Sequence, residues 1–235
     1  MYSAGIERLT HQPLSFSVSE TTEGVHIHII DAELMGKGEK EKKDLYIEGV
    51  QNNGIINHYE YIINSEGTIE IRHVLKPEGK MPLWFPRIGL TLTVSDALDQ
   101  VKWYGRGPQE NYPDRKTGYP MGIYASTVQA MYEPYLMPQD YGLRTDVRWL
   151  QLTTDKGIGL QFKMNEWFNF NIYPYSTDNL TKAMYTYQLQ KQKGMTLNLD
   201  YATTGVGCTA RGVFGAYKAM PQEYRRTISI RPMMK

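Results

Sequence analysis

Carboxylates and arginines alternate within one short stretch of the chain, WYGRGPQENYPDR, from Trp103 to Arg115. Glycoside hydrolysis uses two carboxyl groups that lie roughly 5 to 10 Å apart across the scissile bond. Glu110 and Asp114 are the pair that this segment offers. Arg106 and Arg115 would keep both carboxyls ionised, which suits ion pairs better than a general acid. We therefore expect these carboxylates to pair with Arg106 and Arg115 in a fixed turn. A polar ligand-binding edge and a catalytic loop are the alternatives.

The histidines and the single cysteine do not form a familiar metal-binding or nucleophilic motif. His26 and His28 are two residues apart, and His58 and His73 follow in the next alternating segments. No cysteine pair, HExxH motif or DxDxDG loop accompanies them, so the sequence predicts no metal site. Cys208, in TTGVGCTARG, has no recognisable catalytic partner, and its glycine spacing does not fit a dinucleotide fingerprint. We expect no cofactor.

Apolar and polar residues alternate with period two through most of the chain, which predicts β-strands. In GVHIHII, Val25, Ile27 and Ile29 fall on one face and the two histidines on the other. Residues 58–63 and 68–75 predict a hairpin with its turn at residues 64–67. Further strands are predicted in RIGLTLTV, WLQLTT, IGLQFKM, WFNFNIYPY, MTLNLDYA and YRRTISIRP.

One helix is predicted, over Ser176–Tyr187. Ser176 or Thr177 would cap it, and Leu180, Ala183 and Met184 would face inward. Many strands with almost no helix predict an all-β protein of stacked antiparallel sheets, which we expect to be a single domain over residues 1–235.

The composition is that of a soluble globular protein, with 41% hydrophobic and 22% charged residues and a formal net charge of +1. It lacks the basic footprint of a nucleic-acid-binding protein, and no apolar run approaches the ~20 residues that cross a bilayer. The mixed-sign segment GKGEKEKKD predicts a solvated loop. The N-terminus does not resemble a signal peptide, which leaves the compartment open: cytoplasmic or periplasmic in a bacterium.

From about Trp84 to Leu160 the chain resembles the C-terminal β-sandwich domain, or small chain, of β-galactosidases of glycoside hydrolase family two. The matching segments occur in family order: PRIGL, VKWYGRGPQENYPDRKTG, MYEPYLMPQDYGLRTDVRWL and KGIGLQF. The resemblance implies an antiparallel supersandwich similar to galactose mutarotase. It also implies that the catalytic glutamates belong to a separate (β/α)8 barrel of ~250 residues, which this chain lacks.

Two departures from the family pattern affect these expectations. The opening segment FWRAPTDND of the family is absent, so we expect that the N-terminal strand is missing. The family stretch GxGGDxSW, whose tryptophan stacks on substrate, corresponds to GVGCTARG, with Gly212 at the tryptophan position. Glycine cannot stack on a sugar ring.

The favoured hypothesis is a non-catalytic domain that supports a barrel of the same or a companion chain and binds carbohydrate on its concave sheet. The predicted carbohydrate-binding residues are Trp103, Tyr104, Glu110, Asn111, Asp114, Arg115, Arg144 and Trp149. One alternative is a stand-alone mutarotase-like aldose epimerase, which requires a general acid and base such as His58 or His73 with Glu110. Another is a purely structural interaction module, whose sign would be a contiguous apolar patch where the barrel normally sits and which could form a homo-oligomer.

Overall fold

The computed structural model describes residues 9–35, 53–207 and 212–234. Contacts divide the chain into two compact units, one of Met1–Phe85 with Met220–Ser229 and the other of Pro86–Ala219 with Ile230–Lys235. The expectation of a single domain is not tested by this division and stays a prediction. The segment GKGEKEKKD and Cys208 lie outside the described residues.

The first unit is a run of strands in the order β1-β2-β3-β4-β11, in which β1 to β4 pair antiparallel. Their bounds are β1 Thr10–Thr21, β2 Gly24–Leu34, β3 Gly54–Ile63, β4 Ile69–Glu78 and β11 Tyr224–Met233, the last continuing into the second unit. On β2 the alternation predicted from GVHIHII is present, and the register sets His28 opposite Glu60 of β3. The same register continues to β4, where Arg72 lies opposite Glu60.

The predicted hairpin is confirmed in β3 and β4, which extend beyond the predicted arms. Asn64 closes its turn, because the Asn64 side-chain oxygen accepts hydrogen bonds from the backbone N–H groups of Glu66 and Thr68, both at 3.0 Å. Gly67 has a φ of 75°, a left-handed conformation that glycine adopts without a steric penalty. The turn chemistry was therefore readable from the sequence.

The second unit holds six strands: β5 Arg87–Val94, β6 Gln100–Arg106, β7 Met121–Thr127, β8 Arg144–Thr153, β9 Gly159–Tyr173 and β10 Met195–Thr203. Strands β9, β8, β6 and β7 lie side by side in that order, and β10 pairs with both β5 and β9. Its core contains fully buried Trp103, Leu150, Phe170 and Leu197. The segments IGLQFKM and WFNFNIYPY, predicted as two strands, form the single strand β9.

The predicted helix is present but short, with α1 spanning Thr177–Lys182. Ser176 caps it as predicted, accepting the N–H of Asn179 on its hydroxyl at 3.1 Å. Leu180 and Ala183 are buried, whereas Met184 is 54% exposed, so its predicted inward orientation is wrong. The reason is that the backbone turns extended at Ala183, which ends the helical periodicity.

The all-β class predicted from the sequence is confirmed, since antiparallel pairing joins β1 to β4 in the first unit and β5 to β10 in the second. None of the helices in the described ranges is long and apolar enough to cross a bilayer.

Candidate functional site

Glu110 is the centre of a hydrogen-bonded cluster in the second unit, with only 6% of its surface exposed. One carboxylate oxygen accepts from Arg115 Nη2 at 2.7 Å and from the hydroxyl of Tyr135. The other accepts from the Gly142 N–H at 2.9 Å and the Tyr112 hydroxyl at 3.1 Å. Burial alone would raise the pKa of this carboxyl, but the four donors together hold it below its usual range. Glu110 is therefore an ionised acceptor.

The turn that follows Glu110 is held by its own backbone. Tyr112 and Arg115 exchange two backbone hydrogen bonds around Pro113 and Asp114, with N–O distances of 3.3 and 2.8 Å. Proline favours such a turn because its ring fixes φ. The Arg115 guanidinium also lies 5.1 Å from the centre of the Tyr112 ring. These contacts fix Arg115 at the distance where it reaches Glu110.

Asp114 fastens this turn to a loop far along the chain. Its two oxygens accept the backbone N–H groups of Val206, at 3.0 Å, and Gly207, at 2.7 Å. Gly205 passes so close that a Cβ at this position would lie 2.3 Å from the Asp114 carboxyl carbon. The absence of a side chain at position 205 therefore permits the contact. We call Asp114 with residues 205–207 the clasp.

Arg106 does not pair with the carboxylates of its own segment. Its Nε lies 2.6 Å from an oxygen of Asp146, which Lys116 also contacts at 2.9 Å. Of the predicted ion pairs, that between Glu110 and Arg115 is confirmed. The pairing of Asp114 with arginine is wrong, because backbone N–H groups occupy its oxygens.

Four of the predicted carbohydrate-binding residues, Trp103, Glu110, Asn111 and Arg144, are buried inside the second unit. Trp103 is 0% exposed, and its indole N–H donates to the carbonyl of Arg106 at 3.0 Å. The Asn111 side-chain oxygen accepts from both the N–H and the hydroxyl of Thr145.

Arg144 is enclosed by the same part of the core. It donates to the Gly142 carbonyl at 2.8 Å and lies 5.5 Å from the centre of the Trp103 ring. Burial lowers its pKa to about 10. Trp103 and Arg144 thus contact each other, and all four buried residues are bonded within the second unit and present no open face to a ligand.

Two other predicted residues, Tyr104 and Trp149, lie on the opposite face of β6 and β8. They are cross-strand partners with ring centres 6.5 Å apart, and Tyr104 is 38% exposed. On the same strands, a shallow depression of about 440 Å³ is lined by residues including Lys102, Gln151 and Asp155. None of the eight predicted residues lines it. The set therefore separates into a buried group, the turn residues Asp114 and Arg115, and an accessible aromatic pair.

A second polar cluster was not predicted. Arg87 on β5 lies 3.0 Å from Asp200 on β10 and 3.4 Å from Asp140. Asn198 donates to the side-chain oxygen of Asn171 at 2.8 Å. Burial raises the pKa of Asp200 to about 6, although Arg87 opposes this effect. The sequence contained a signal for this cluster. Polar residues alternate with apolar ones in FNFNIY and LNLD, which places Asn171 on one face of β9 and both Asn198 and Asp200 on one face of β10.

The histidines considered for epimerase chemistry lie in the first unit, whereas Glu110 belongs to the second. His73 is buried, its Nε2 is 3.1 Å from the Asn57 side-chain oxygen, and its ring stacks on Tyr59 at 4.2 Å. Burial lowers the pKa of His73 to about 4. These contacts are those of a neutral core histidine.

The strands define an all-β protein, and the bonded turn around Glu110 belongs to its second unit. The family model described as "Beta galactosidase small chain" matches residues 9–230, and the chain belongs to this family. It is 38% identical over 147 residues to a β-galactosidase of Priestia megaterium, a match that covers 63% of this chain and 14% of the relative. It is 39% identical over 122 residues to a β-galactosidase of Vibrio cholerae, covering 52% and 11%.

The match therefore spans a small part of these relatives. Among solved structures, the chain is similar to a GalM/aldose epimerase homologue from Caenorhabditis elegans, with 12% identity and a TM-score of 0.45. It is also similar to a putative aldose 1-epimerase from Escherichia coli, with 7% identity and a TM-score of 0.40. Each similarity covers 94% of this chain and 69% of the other.

Proposed function

We propose that this chain is the non-catalytic C-terminal domain of a β-galactosidase-like glycoside hydrolase. It would support a separate catalytic (β/α)8 barrel of the same or a companion chain. The proposal rests on the hydrogen bonding of Glu110 and Asp114, the two carboxylates in WYGRGPQENYPDR. Both oxygens of Glu110 and both oxygens of Asp114 already accept hydrogen bonds within the second unit.

This arrangement is unsuited to glycoside hydrolysis. A general acid needs a pKa raised towards the working pH, whereas the pKa of Glu110 is lowered. A nucleophilic carboxylate needs a free oxygen directed at the sugar, and Glu110 directs its oxygens at four donors. We therefore assign Glu110 and Asp114 to holding the turn and its distant loop in place.

Exposed apolar side chains support a docking role. In the loop before β8, Leu136 is 94% exposed and Met137 is also exposed, and both belong to MYEPYLMP. In the first unit, Leu14, Phe16 and Val18 of β1 are exposed. Clustered exposed apolar residues are typical of interaction sites. We propose that the loop around Leu136 contacts the barrel.

We propose that Tyr104 and Trp149 are the residues of this domain that contact carbohydrate. They are the predicted aromatic residues that retain accessible ring surface, and an aromatic face is the usual platform for a sugar ring. The ligand class would be a β-galactoside. Trp103 would act only through the packing of β6.

The test is an assay of the complete chain on a chromogenic β-galactoside. We expect no turnover above buffer, with Glu110→Gln indistinguishable from the unmodified chain. Turnover that purifies with the chain and disappears in Glu110→Gln would overturn the proposal. Size-exclusion chromatography with light scattering, comparing the chain with Leu136→Ser, then reports whether the exposed loop drives self-association.

A further inference from the structure

A polar face of the first unit brings two imidazoles and a carboxylate together. His26 and His28 project from the same face of β2, and Glu60 projects from that face of β3, directly opposite His28. One potential ligand atom from each of the three lies within 4.8 Å of one from each of the others. The grouping depends on strand register, so the sequence motif His-x-His alone did not reveal it.

The distances are close to those of a metal site. Glu60 Oε1 is 3.7 Å from His26 Nδ1 and 4.0 Å from His28 Nε2. Two ligands bound tetrahedrally to one zinc ion at ~2.0–2.2 Å are roughly 3.4 Å apart. The two histidine atoms lie within 4.8 Å of each other, so shifts of ~1 Å or less would bring all three into coordination. The His28 side chain is half exposed and therefore free to make such a shift.

An independent observation concerns His26. Its Nε2 atom is buried and has no hydrogen-bond partner among the described residues, with the nearest carboxylate, that of Glu23, 4.0 Å away. Buried polar atoms are nearly always hydrogen-bonded, and an exception calls for an explanation. If Nδ1, 3.7 Å from Glu60 Oε1, binds the ion, then Nε2 carries the ring proton, and a small shift of the exposed Glu23 carboxylate would let it accept that proton, as acceptors beside metal-bound imidazoles regularly do.

The surrounding charge also favours a cation. Arg72 donates to the far oxygen of Glu60 at 3.1 Å, which leaves Oε1 directed at the histidines, and Arg72 is itself paired with Glu70 at 2.8 Å. The three carboxylates of Glu23, Glu60 and Glu70 thus outnumber the guanidinium of Arg72, so the charge of this group is negative. A hydrogen-bonded partner that orients a ligating carboxylate is a regular feature of metal sites.

We propose that His26, His28 and Glu60 bind one divalent transition-metal ion of the zinc type, linking β2 to β3. Two imidazoles and one carboxylate suit Zn²⁺ and its first-row neighbours better than Ca²⁺ or Mg²⁺, which prefer all-oxygen sites. Three protein ligands leave one position for water or for a group supplied by a partner. This site is independent of the function proposed above.

The experiment is calorimetric titration of ZnCl2 into the complete, untagged chain. Cys208→Ser is used as the background, because a thiolate is itself a zinc ligand. We expect one Zn²⁺ per chain. His28→Ala and Glu60→Gln should each weaken binding at least about tenfold. The matched control is His11→Ala, since His11 lies 3.2 Å from Glu33 on the opposite face of β2 and should leave binding unchanged.

Thermal unfolding gives a second measurement. Zn²⁺ should raise the midpoint of the background chain and of His11→Ala, but not that of His28→Ala. Because the His28 side chain is half exposed, its removal should preserve the fold, which circular dichroism checks. No Zn²⁺ binding at millimolar concentration would overturn the proposal. The proposal would also fail if all variants bound Zn²⁺ with the same affinity. It would fail too if His11→Ala lost as much Zn²⁺ affinity as His28→Ala and Glu60→Gln.

Discussion

Replacing Glu110 by glutamine removes one negative charge from a buried carboxylate and changes its shape little. Glutamine keeps one acceptor oxygen but turns an NH2 group towards two of the four donors. We expect the free energy of unfolding to fall because those two bonds are lost and their donors become unsatisfied. The affected groups are a backbone N–H, two tyrosine hydroxyls and the guanidinium of Arg115.

The magnitude follows from the two bonds displaced. A hydrogen bond to a charged group contributes about 1.5–3 kcal/mol. The contact with Arg115 counts for less, because that side chain is about half exposed and partly screened by water. A total of about 3 kcal/mol is therefore expected, which corresponds to a fall of about 6–12 °C in the unfolding midpoint for a protein of this size.

Tryptophan fluorescence during urea unfolding measures this effect, since Trp103, Trp149 and Trp167 all belong to the second unit. The pH dependence supplies a further check. The folded-state pKa of Glu110 is lowered, so its stabilising contribution is fully present above the ordinary glutamate pKa of about 4.3 and is lost as the pH falls through the folded-state value. The difference between the two proteins should shrink in acid.

The control is Glu66→Gln, which makes the same chemical change at an exposed turn position. It should alter the free energy of unfolding by less than about 0.5 kcal/mol. The reasoning is refuted if Glu110→Gln is no more destabilising than Glu66→Gln, or if its effect is the same at pH 3 as at pH 7.

Three further predictions concern other parts of the second unit. Asp114→Asn removes the charge that binds the N–H groups of Val206 and Gly207, so these two amides should exchange with deuterium several-fold faster, while amides of β6 should not change. Because burial raises the pKa of Asp200 to about 6, the folded chain holds that proton more tightly than the unfolded chain does. Its stability should decline as the pH rises from about 4 to 6, and urea unfolding of Asp200→Asn should show no such decline. Trp149→Ala should weaken any binding of a β-galactoside to this chain about 2- to 12-fold, equivalent to about 0.5–1.5 kcal/mol, as measured by NMR titration; unchanged binding would remove Trp149 from the proposed contact.

Local structure was largely predictable from the sequence. The alternation of RIGLTLTV and GVHIHII is enough to indicate β5 and β2, because the side chains of a strand point to opposite faces. Ser176 marked the start of α1 for a similarly local reason, as its hydroxyl caps an N–H three residues later. The end of the helix depended on the extended backbone at Ala183, for which no local signal was recognised.

Contacts between distant segments were not predictable in the same way. Proximity along the chain suggested Arg106 as a partner for Glu110 or Asp114, yet Arg106 pairs with Asp146, forty residues away. The sequence separations in the clasp are more than twice that. Periodicity indicates which face a side chain occupies but not which strand lies opposite, so clusters such as that around Glu60 emerge only once register is known.

The clasp also restricts how this family can vary. Because a methyl group at position 205 would overlap the Asp114 carboxyl, residue 205 cannot gain a side chain while Asp114 is retained. A lineage that enlarges residue 205 must first shorten residue 114, and the reverse order passes through an intermediate with colliding atoms. In an alignment of homologues, aspartate at 114 should therefore occur with glycine at 205, and a larger residue at 205 should occur only where residue 114 is not aspartate.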